Sequence, residues 1–324
     1  MTRFCSLVFC CLATAALAAE PLDIAVVPKG TTHEFWKSIH AGAIKAQREL
    51  EAAGTSVRII WKGPLKEDDR EQQLQVVENF MGRRVDAIVL APLDRRGLVA
   101  PVEDAVKSGI PVVIIDSALD SKAPVSYVAT DNREGGRIAA RELGRLLAGK
   151  GNAILLRYAV GSASTEQREE GFLEVMRAEF PGVRLLSIDQ HAGATRDTAK
   201  RAAENLLNRF GPQVNGIFAV NESAAVGTLL ALKDAGLAGG KVKLVAFDAA
   251  EAIVTALKAG DIAGCVVQDP LKMGYTGVMT AVDALQGRKV PAVVDTGVRY
   301  VTRENLSTPE VAALIAPPLK QYLD

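Results

Sequence analysis

The feature that most constrains this chain is a regular alternation along almost its whole length. Short, continuously apolar runs rich in Val and Ile are separated by longer segments of helical period. The apolar runs are LDIAVVP (22–28), VRIIW (57–61), DAIVLAP (86–92), IPVVIID (110–116), AILLRYAV (153–160), VRLLSID (183–189), GIFAVN (216–221), KLVAFD (243–248) and IAGCVVQD (262–269). A run that stays apolar without alternating reads as a strand covered on both faces. Between them, FWKSIHAGAIKAQRELEAAG places Phe35, Ile39, Ala43, Ala46 and Leu50 on one helical face, leaves Trp36 one position off that phase, and offers Gly54 as a stop. Segments beginning DDREQQ, NREGGR, TEQREE and NESAAV repeat the theme. Strand and helix in strict succession imply parallel sheets wrapped by helices, an α/β fold. Nine strand candidates in 324 residues exceed what one core usually serves, so two doubly wound parallel-sheet lobes are expected.

The N-terminal stretch MTRFCSLVFCCLATAALAAE stands apart. One positive charge at Arg3, an apolar run from Leu7 to Leu17 and the small-residue pattern Ala16-Leu17-Ala18 read as a secretory signal peptide over residues 1–19, hence export to the periplasm. A membrane anchor would need ~20 apolar residues, more than this run supplies. A lipoprotein signal at Cys10 or Cys11 is weakened by the bulky Phe9. Three of the four cysteines, Cys5, Cys10 and Cys11, fall in this segment, so the processed chain keeps only Cys265 and forms no internal disulfide. Cys265 sits in an apolar strand and reads as a buried thiol.

In open α/β sheets, ligands bind beyond the carboxyl ends of the strands. The residues that end the apolar runs are therefore the ones to weigh: Lys29 and the following GTTHEFW, Asp116 with Ser117, Thr130-Asp131-Asn132, Asn221 with Glu222, Asp248, and Gln268 with Asp269. Any one Asp or Asn there serves equally well as a helix cap. Their recurrence, with Gln268 a poor cap, points to a shared polar site, and Trp36 at a loop-to-helix junction offers a flat stacking surface. Carboxylates, carboxamides and Arg present paired donors and acceptors that suit vicinal hydroxyls, and aromatic faces suit the C–H faces of a sugar ring. A small, neutral, polyhydroxylated ligand follows.

Other chemistries find little support. Lys+Arg and Asp+Glu are equal at 38 each, so no net field draws nucleic acid. His33, His40 and His191 lack metal spacing, and neither a GxSxG elbow nor a GxxxxGK[ST] loop occurs. No cofactor, metal site or catalytic residue is expected. Gly135-Gly136 reads as a place of close packing.

Taken in order, HEFW, GIPVVIIDS, ATDNREGG, STEQREEGF, IFAVNE, VAFDA and VVQDP resemble the periplasmic sugar-binding proteins of ABC importers, the ribose/galactose-type, type I class, over about Leu22 to Tyr300. The resemblance implies two lobes joined by a three-segment hinge, crossing near Thr130–Asn132, Gln268–Pro270 and Thr296–Val298. The lobes would be 20–130 with 269–297, and 131–268 with 298–324. It implies a monomeric receptor that closes on a monosaccharide or polyol and delivers it to an inner-membrane ABC permease, or, as the alternative, presents it to a chemoreceptor or histidine kinase. Its fold is shared with the effector domains of lac-type repressors, but a repressor would need a helix-turn-helix module of ~60 residues ahead of the first strand. The ligand contacts carry over to His33 (commonly Asn in the family), Phe35, Trp36, Asp116, Arg168, Asn221, Phe247, Asp248 and Gln268. Asp116 with Asp248 could mimic a glycosidase carboxylate pair, but the resemblance implies mobile lobes and a nearby Arg168, which suit binding better than turnover. Ser117 stands where an arginine is frequent, Ala91 where a polar residue is frequent, and an aromatic contact is replaced near Ala194. These departures imply a ligand other than ribose itself.

Overall fold

The computed structural model describes residues 20–323. The signal peptide expected at residues 1–19, with its three cysteines, lies outside the described residues.

Two six-stranded sheets form. The first takes β1 (Leu22–Val27), β2 (Val57–Trp61), β3 (Ala87–Leu90), β4 (Val112–Ile115) and β5 (Ser126–Ala129), with β11 (Val293–Asp295) added from far along the chain, in the order β11-β5-β4-β3-β1-β2. The second takes β6 (Gly151–Leu156), β7 (Val183–Ser187), β8 (Gly216–Ala219), β9 (Lys243–Phe247), β10 (Gly264–Gln268) and β12 (Val298–Val301), in the order β12-β10-β9-β8-β6-β7. Position for position the two orders match, so the lobes repeat one topology. All pairings are parallel except β12 against β10. The helices are α1 (Glu34–Ala52), α2 (Arg70–Gly82), α3 (Val99–Lys107), α4 (Asn132–Leu146), α5 (Ala163–Glu179), α6 (Arg196–Phe210), α7 (Glu222–Asp234), α8 (Glu251–Ala259), α9 (Pro270–Leu285) and α10 (Pro309–Ile315). Three strands, β5, β11 and β12, were not among the nine apolar runs. Each is only three or four residues long, and β11 and β12 stay partly exposed.

Strand residues alternate between two cores on each sheet. In the first, Ile24, Val26 and Val113 face α1 and α9 while Ala25, Val27 and Val112 face α2 and α3. In the second, Leu155, Phe218 and Phe247 face α4 and α5, and Ile154, Ile217 and Ala246 face α6, α7 and α8. Burial on both faces is why the central strands are apolar through their middles, whereas the edge strands β2 and β7 carry exposed Arg58 and Arg184. Cys265 is among the fully buried residues, and burial pushes its thiol up to about 12.

The chain passes between sheets after β5, after β10 and between β11 and β12. The first and third passages are tied together: Thr130 Oγ1 donates to the Gly297 carbonyl at 3.1 Å and the Thr296 N–H to the Ala129 carbonyl at 3.0 Å. The helices that follow the first two passages, α4 and α9, press closely against α5 and α1. A β-carbon on Gly136 of α4 would stand 1.9 Å from the Arg168 carbonyl, and one on Gly171 of α5 would stand 2.1 Å from the Arg133 carbonyl. Gly42 of α1 and Gly274 of α9 make the same reciprocal contact, each 2.0 Å from a backbone oxygen of the other helix. Backbone cannot yield as a side chain can, so these positions fix where α5 and α1 present their site residues.

Gly136→Ala and Gly274→Ala should each destabilise by at least about 1–3 kcal/mol, a fall in Tm of some 2–4 °C per kcal/mol for a chain of this size. Gly82→Ala, where a β-carbon meets nothing within 4 Å, is the control. Thermal unfolding curves that superimpose for all three variants would show that helix contact does not set the geometry.

Candidate functional site

Asp116 follows β4 and Asp248 follows β9, the equivalent strands of the two sheets. Both adopt left-handed backbone, with φ of 59° and 69°. Among the described non-glycine residues only Arg84 and Ala148 share this region, and both lie just beyond helix ends. Left-handed aspartate costs energy that a fold retains where the side chain must be aimed. Here both carboxylates are aimed into one buried cavity between the lobes.

From the first lobe, the β1–α1 loop brings Lys29 and His33, and the first turn of α1 brings Phe35 and Trp36, to that cavity. The two aromatic residues exchange their expected roles. Trp36, not Phe35, continues the buried face with Ile39, Ala43, Ala46 and Leu50, while Phe35 is half-buried at the cavity edge, its ring set edge-on to Trp36 with centroids 5.0 Å apart. Helix α1 begins at Glu34, and its start angle decides which of two adjacent aromatic residues turns inward.

From the second lobe come Arg168 on α5, Asn221, Asp248 and Gln268. Arg168 is buried, donating from Nε to Asn132 Oδ1 at 2.9 Å and from Nη1 to the Val220 carbonyl at 2.9 Å. Phe247, expected to touch the ligand, does not line the cavity. Its ring lies beneath Arg168, 3.8 Å from the guanidinium carbon, and serves as the platform that holds the cation in place. Asn221 fills both readings given to it, capping α7 through the Ala224 N–H while lining the cavity. Asp248 accepts from Gln268 Nε2 at 2.8 Å and from the Glu222 N–H at 3.1 Å. Burial raises its pKa to about 6 against the pull of Arg168 and Gln268.

Several further residues line the cavity that were not among the expected ligand contacts. Lys29 Nζ lies 2.8 Å from Asp116 Oδ2 and 3.1 Å from Ser164 Oγ. Glu67, buried in the loop after β2, accepts from Trp36 Nε1 and Tyr158 OH and pairs with His33 Nδ1, each at 2.6 Å. Burial works against both charges of that pair, yet mutual attraction prevails: His33 is pushed up to about 9 and Glu67 held at about 2. Lys29 ends an apolar strand and was visible as such. Glu67 sits in the charged run LKEDDR, which reads as solvated surface, and nothing in it marks one carboxylate as buried.

The lobes meet in a closed arrangement. Tyr158 donates to Glu67, the Ser164 N–H to Ser117 Oγ at 3.0 Å, the Phe35 N–H to Glu222 at 3.2 Å and the Glu251 N–H to Glu34 at 2.8 Å, all across the cleft. The cavity left between them is about 30 Å³, well below the roughly 300–1,000 Å³ of small-molecule sites. Two buried acceptors, Asp116 Oδ2 and Gln268 Oε1, take no aligned hydrogen bond, the first being met only by the Lys29 charge. Orphaned acceptors in a polar cavity call for a hydroxyl donor.

A family model for the periplasmic binding protein domain matches residues 24–289. The D-ribose/D-allose-binding protein of Pseudomonas aeruginosa is 31% identical over 300 residues, covering 90% of this chain and 92% of that protein. The D-allose-binding periplasmic protein of Escherichia coli is 32% identical over 287 residues, covering 86% and 89%. A carbohydrate transporter solute-binding protein from Agrobacterium radiobacter, solved in complex with D-arabinose, superposes with a TM-score of 0.86 at 36% identity over 91% of this chain and 99% of that one. One from Agrobacterium vitis with bound D-fucose gives 0.86 at 32% identity over 91% and 100%. The chain belongs to the periplasmic binding protein family, among its ribose/galactose-type sugar-binding members, which are solute-binding proteins and not enzymes.

Proposed function

We propose that this protein is the periplasmic receptor of an ABC importer and carries a neutral monosaccharide or polyol, held between its lobes by Asp116 and Asp248. The observation that carries this reading is the pair of left-handed aspartates at equivalent strand ends, facing one cavity with Arg168 and the unpaired Gln268 amide oxygen. Lys29, His33 and Arg168 balance the cavity's carboxylates closely, which suits an uncharged ligand. Relatives with D-arabinose and D-fucose bound, and others named for ribose and allose, support the sugar class.

Entry requires the lobes to part. Residues 20–130 with 269–297 form one body, 131–268 with 298–316 the other, and the three crossings near Thr130, Gln268 and Thr296 act as the hinge. Closure then follows from contacts the ligand makes to both bodies at once. Export by residues 1–19 places the receptor where its permease can meet it.

A thermal-shift panel of pentoses, hexoses, 6-deoxyhexoses and polyols should give one narrow group that stabilises by about 2.7 kcal/mol at a hundredfold excess over Kd. No shift across the panel removes the sugar assignment. With the best of that group as probe, Arg168→Ala and Asp248→Ala should each weaken binding about thirtyfold or more, since a buried charged partner is lost. Full affinity in either variant moves the site elsewhere.

Affinity should also fall as pH drops below about 6, by up to about tenfold per unit, because protonated Asp248 can no longer accept two ligand hydroxyls. Asp248→Asn should flatten this slope. The ligand-free protein responds oppositely: a carboxyl raised from 3.8 to about 6 contributes stability below 3.8 that is lost as pH rises through 6. Calorimetric titration between pH 5 and 8 checks the binding slope, and a profile equally steep in Asp248→Asn would assign it to another group.

A further inference from the structure

The C-terminal segment touches both lobes. Helix α10 buries Val311 and packs Leu314 and Ile315 on the second-lobe core. The chain then turns at Pro317-Pro318, and the short turn Leu319–Gln321 lies on α1 of the first lobe. There Arg48 donates to the Gln321 carbonyl, and its guanidinium stands 5.6 Å from the centre of the Tyr322 ring. The segment after Val301, assigned on sequence wholly to the second lobe, is thus a fourth connection between the lobes.

What lies beside this connection is as telling as its anchors. Between them the chain passes the Gln268–Pro270 crossing with a cavity on either side. One, of about 490 Å³, runs along the third crossing at Thr296–Arg299. The other, of about 530 Å³, has the tail as its outer wall and Phe35, Glu222, Asp248 and Gln268 as its inner one. Those four residues also line the ligand cavity. The tail is therefore held at its two ends with space beneath it, instead of being moulded onto one surface, and it covers the side of the cleft where Phe35 meets Asp248.

We propose that residues 317–323 are a strap. Its anchors on different lobes limit how far the hinge opens, and its span covers one route by which ligand leaves. A link made in the closed form that must stretch or detach on opening favours closure whatever sugar is present. Its effect belongs mainly in the release rate, because the tail contacts none of the groups proposed to grip the ligand apart from the outer side of the wall they share. The release arm of this inference rests on the sugar-receptor reading; the opening arm does not.

The test compares the full processed chain with a variant ending at Ala316, which keeps α10, and with the double variant Arg48→Ala/Tyr322→Ala, which frees the far anchor without shortening the chain. Small-angle scattering of the ligand-free proteins should show a larger radius of gyration in both variants, and hydrogen exchange should speed up around residues 266–272. Stopped-flow release of whichever of D-ribose, D-allose, D-arabinose or D-fucose binds tightest should quicken several-fold, with the thermal transition kept. If the shortened chain fails to fold, the double variant decides alone. Scattering curves and exchange rates that match those of the intact protein overturn the strap, whether or not any sugar binds. An expanded variant in a protein that binds none of the four sugars keeps the strap and overturns the choice of ligand. Expansion with an unchanged release rate overturns the role in ligand exit.

Discussion

A guanidinium with almost no exposed surface sits at the centre of this protein, and the rest of the cleft follows from the need to keep Arg168 charged there. Burying a cation without compensation costs several kcal/mol. No carboxylate among the described residues lies in ion-pair contact with it. It is held by a carboxamide, a carbonyl and an aromatic face, from Asn132, Val220 and Phe247, while Asp116 and Asp248 act on it from a distance, one from each lobe. Such a cation is satisfied in part by each half of the molecule. Its position is in turn set by the closest backbone approach in the second lobe, Gly136 against the Arg168 carbonyl itself. Helix packing and site geometry are thus one constraint.

The repeated topology explains why a polar site can arise without disturbing either core. Each sheet keeps the buried middles of its central strands apolar and delivers the polar groups of the cavity at the carboxyl ends, where Asp116 and Asp248 turn left-handed and leave the sheet. Two such edges set face to face double the number of hydrogen-bonding groups without asking either lobe to bury more of them. The crossings then need only bring the edges together, and bonds such as Thr130 to Gly297 tie them into a narrow bundle.

Much of this was legible in the sequence because it rests on the chemistry of single positions. Strands buried on both faces are apolar through their middles, and the edge strands β2 and β7 keep short apolar runs too, so nine of the twelve announced themselves, and the polar residue ending the central ones was easy to find. The three missed strands mix polar with apolar residues, β11 and β12 because they stay partly exposed and β5 because it holds Ser126 and Tyr127, and what makes them strands is their neighbours at the crossings. The Phe35 and Trp36 exchange turned on where α1 begins, which one helical residue decides. Phe247 was read as a ligand contact because it precedes Asp248, yet a strand residue next to a left-handed one points into its own core, where it underlies Arg168 instead. Glu67 and Tyr158 were out of reach for a different reason: their hydrogen bond joins residues 91 apart across two lobes, and neither local sequence has cause to show it.

The closed geometry also bears on the kind of guest the cleft prefers. Most charges in the cavity are already matched by one another: Lys29 with Asp116, His33 with Glu67, and Glu222 with Arg196 at its margin. A charged group drawn to Lys29, His33, Asp116 or Glu67 would have to break one of these pairs and leave its partner buried and alone, a penalty of several kcal/mol, and one drawn to Arg168 or Asp248 would upset the longer-range attraction between those two. A hydroxyl does no such damage. It can give its hydrogen to the free lone pairs on Asp116 and Gln268 while its oxygen accepts from Lys29 or Arg168, adding bonds to pairs that stay intact. Selectivity for uncharged, hydroxyl-rich molecules then comes from the near balance of the charges around them, and the two aspartates orient a guest that this balance has already narrowed to one chemical class.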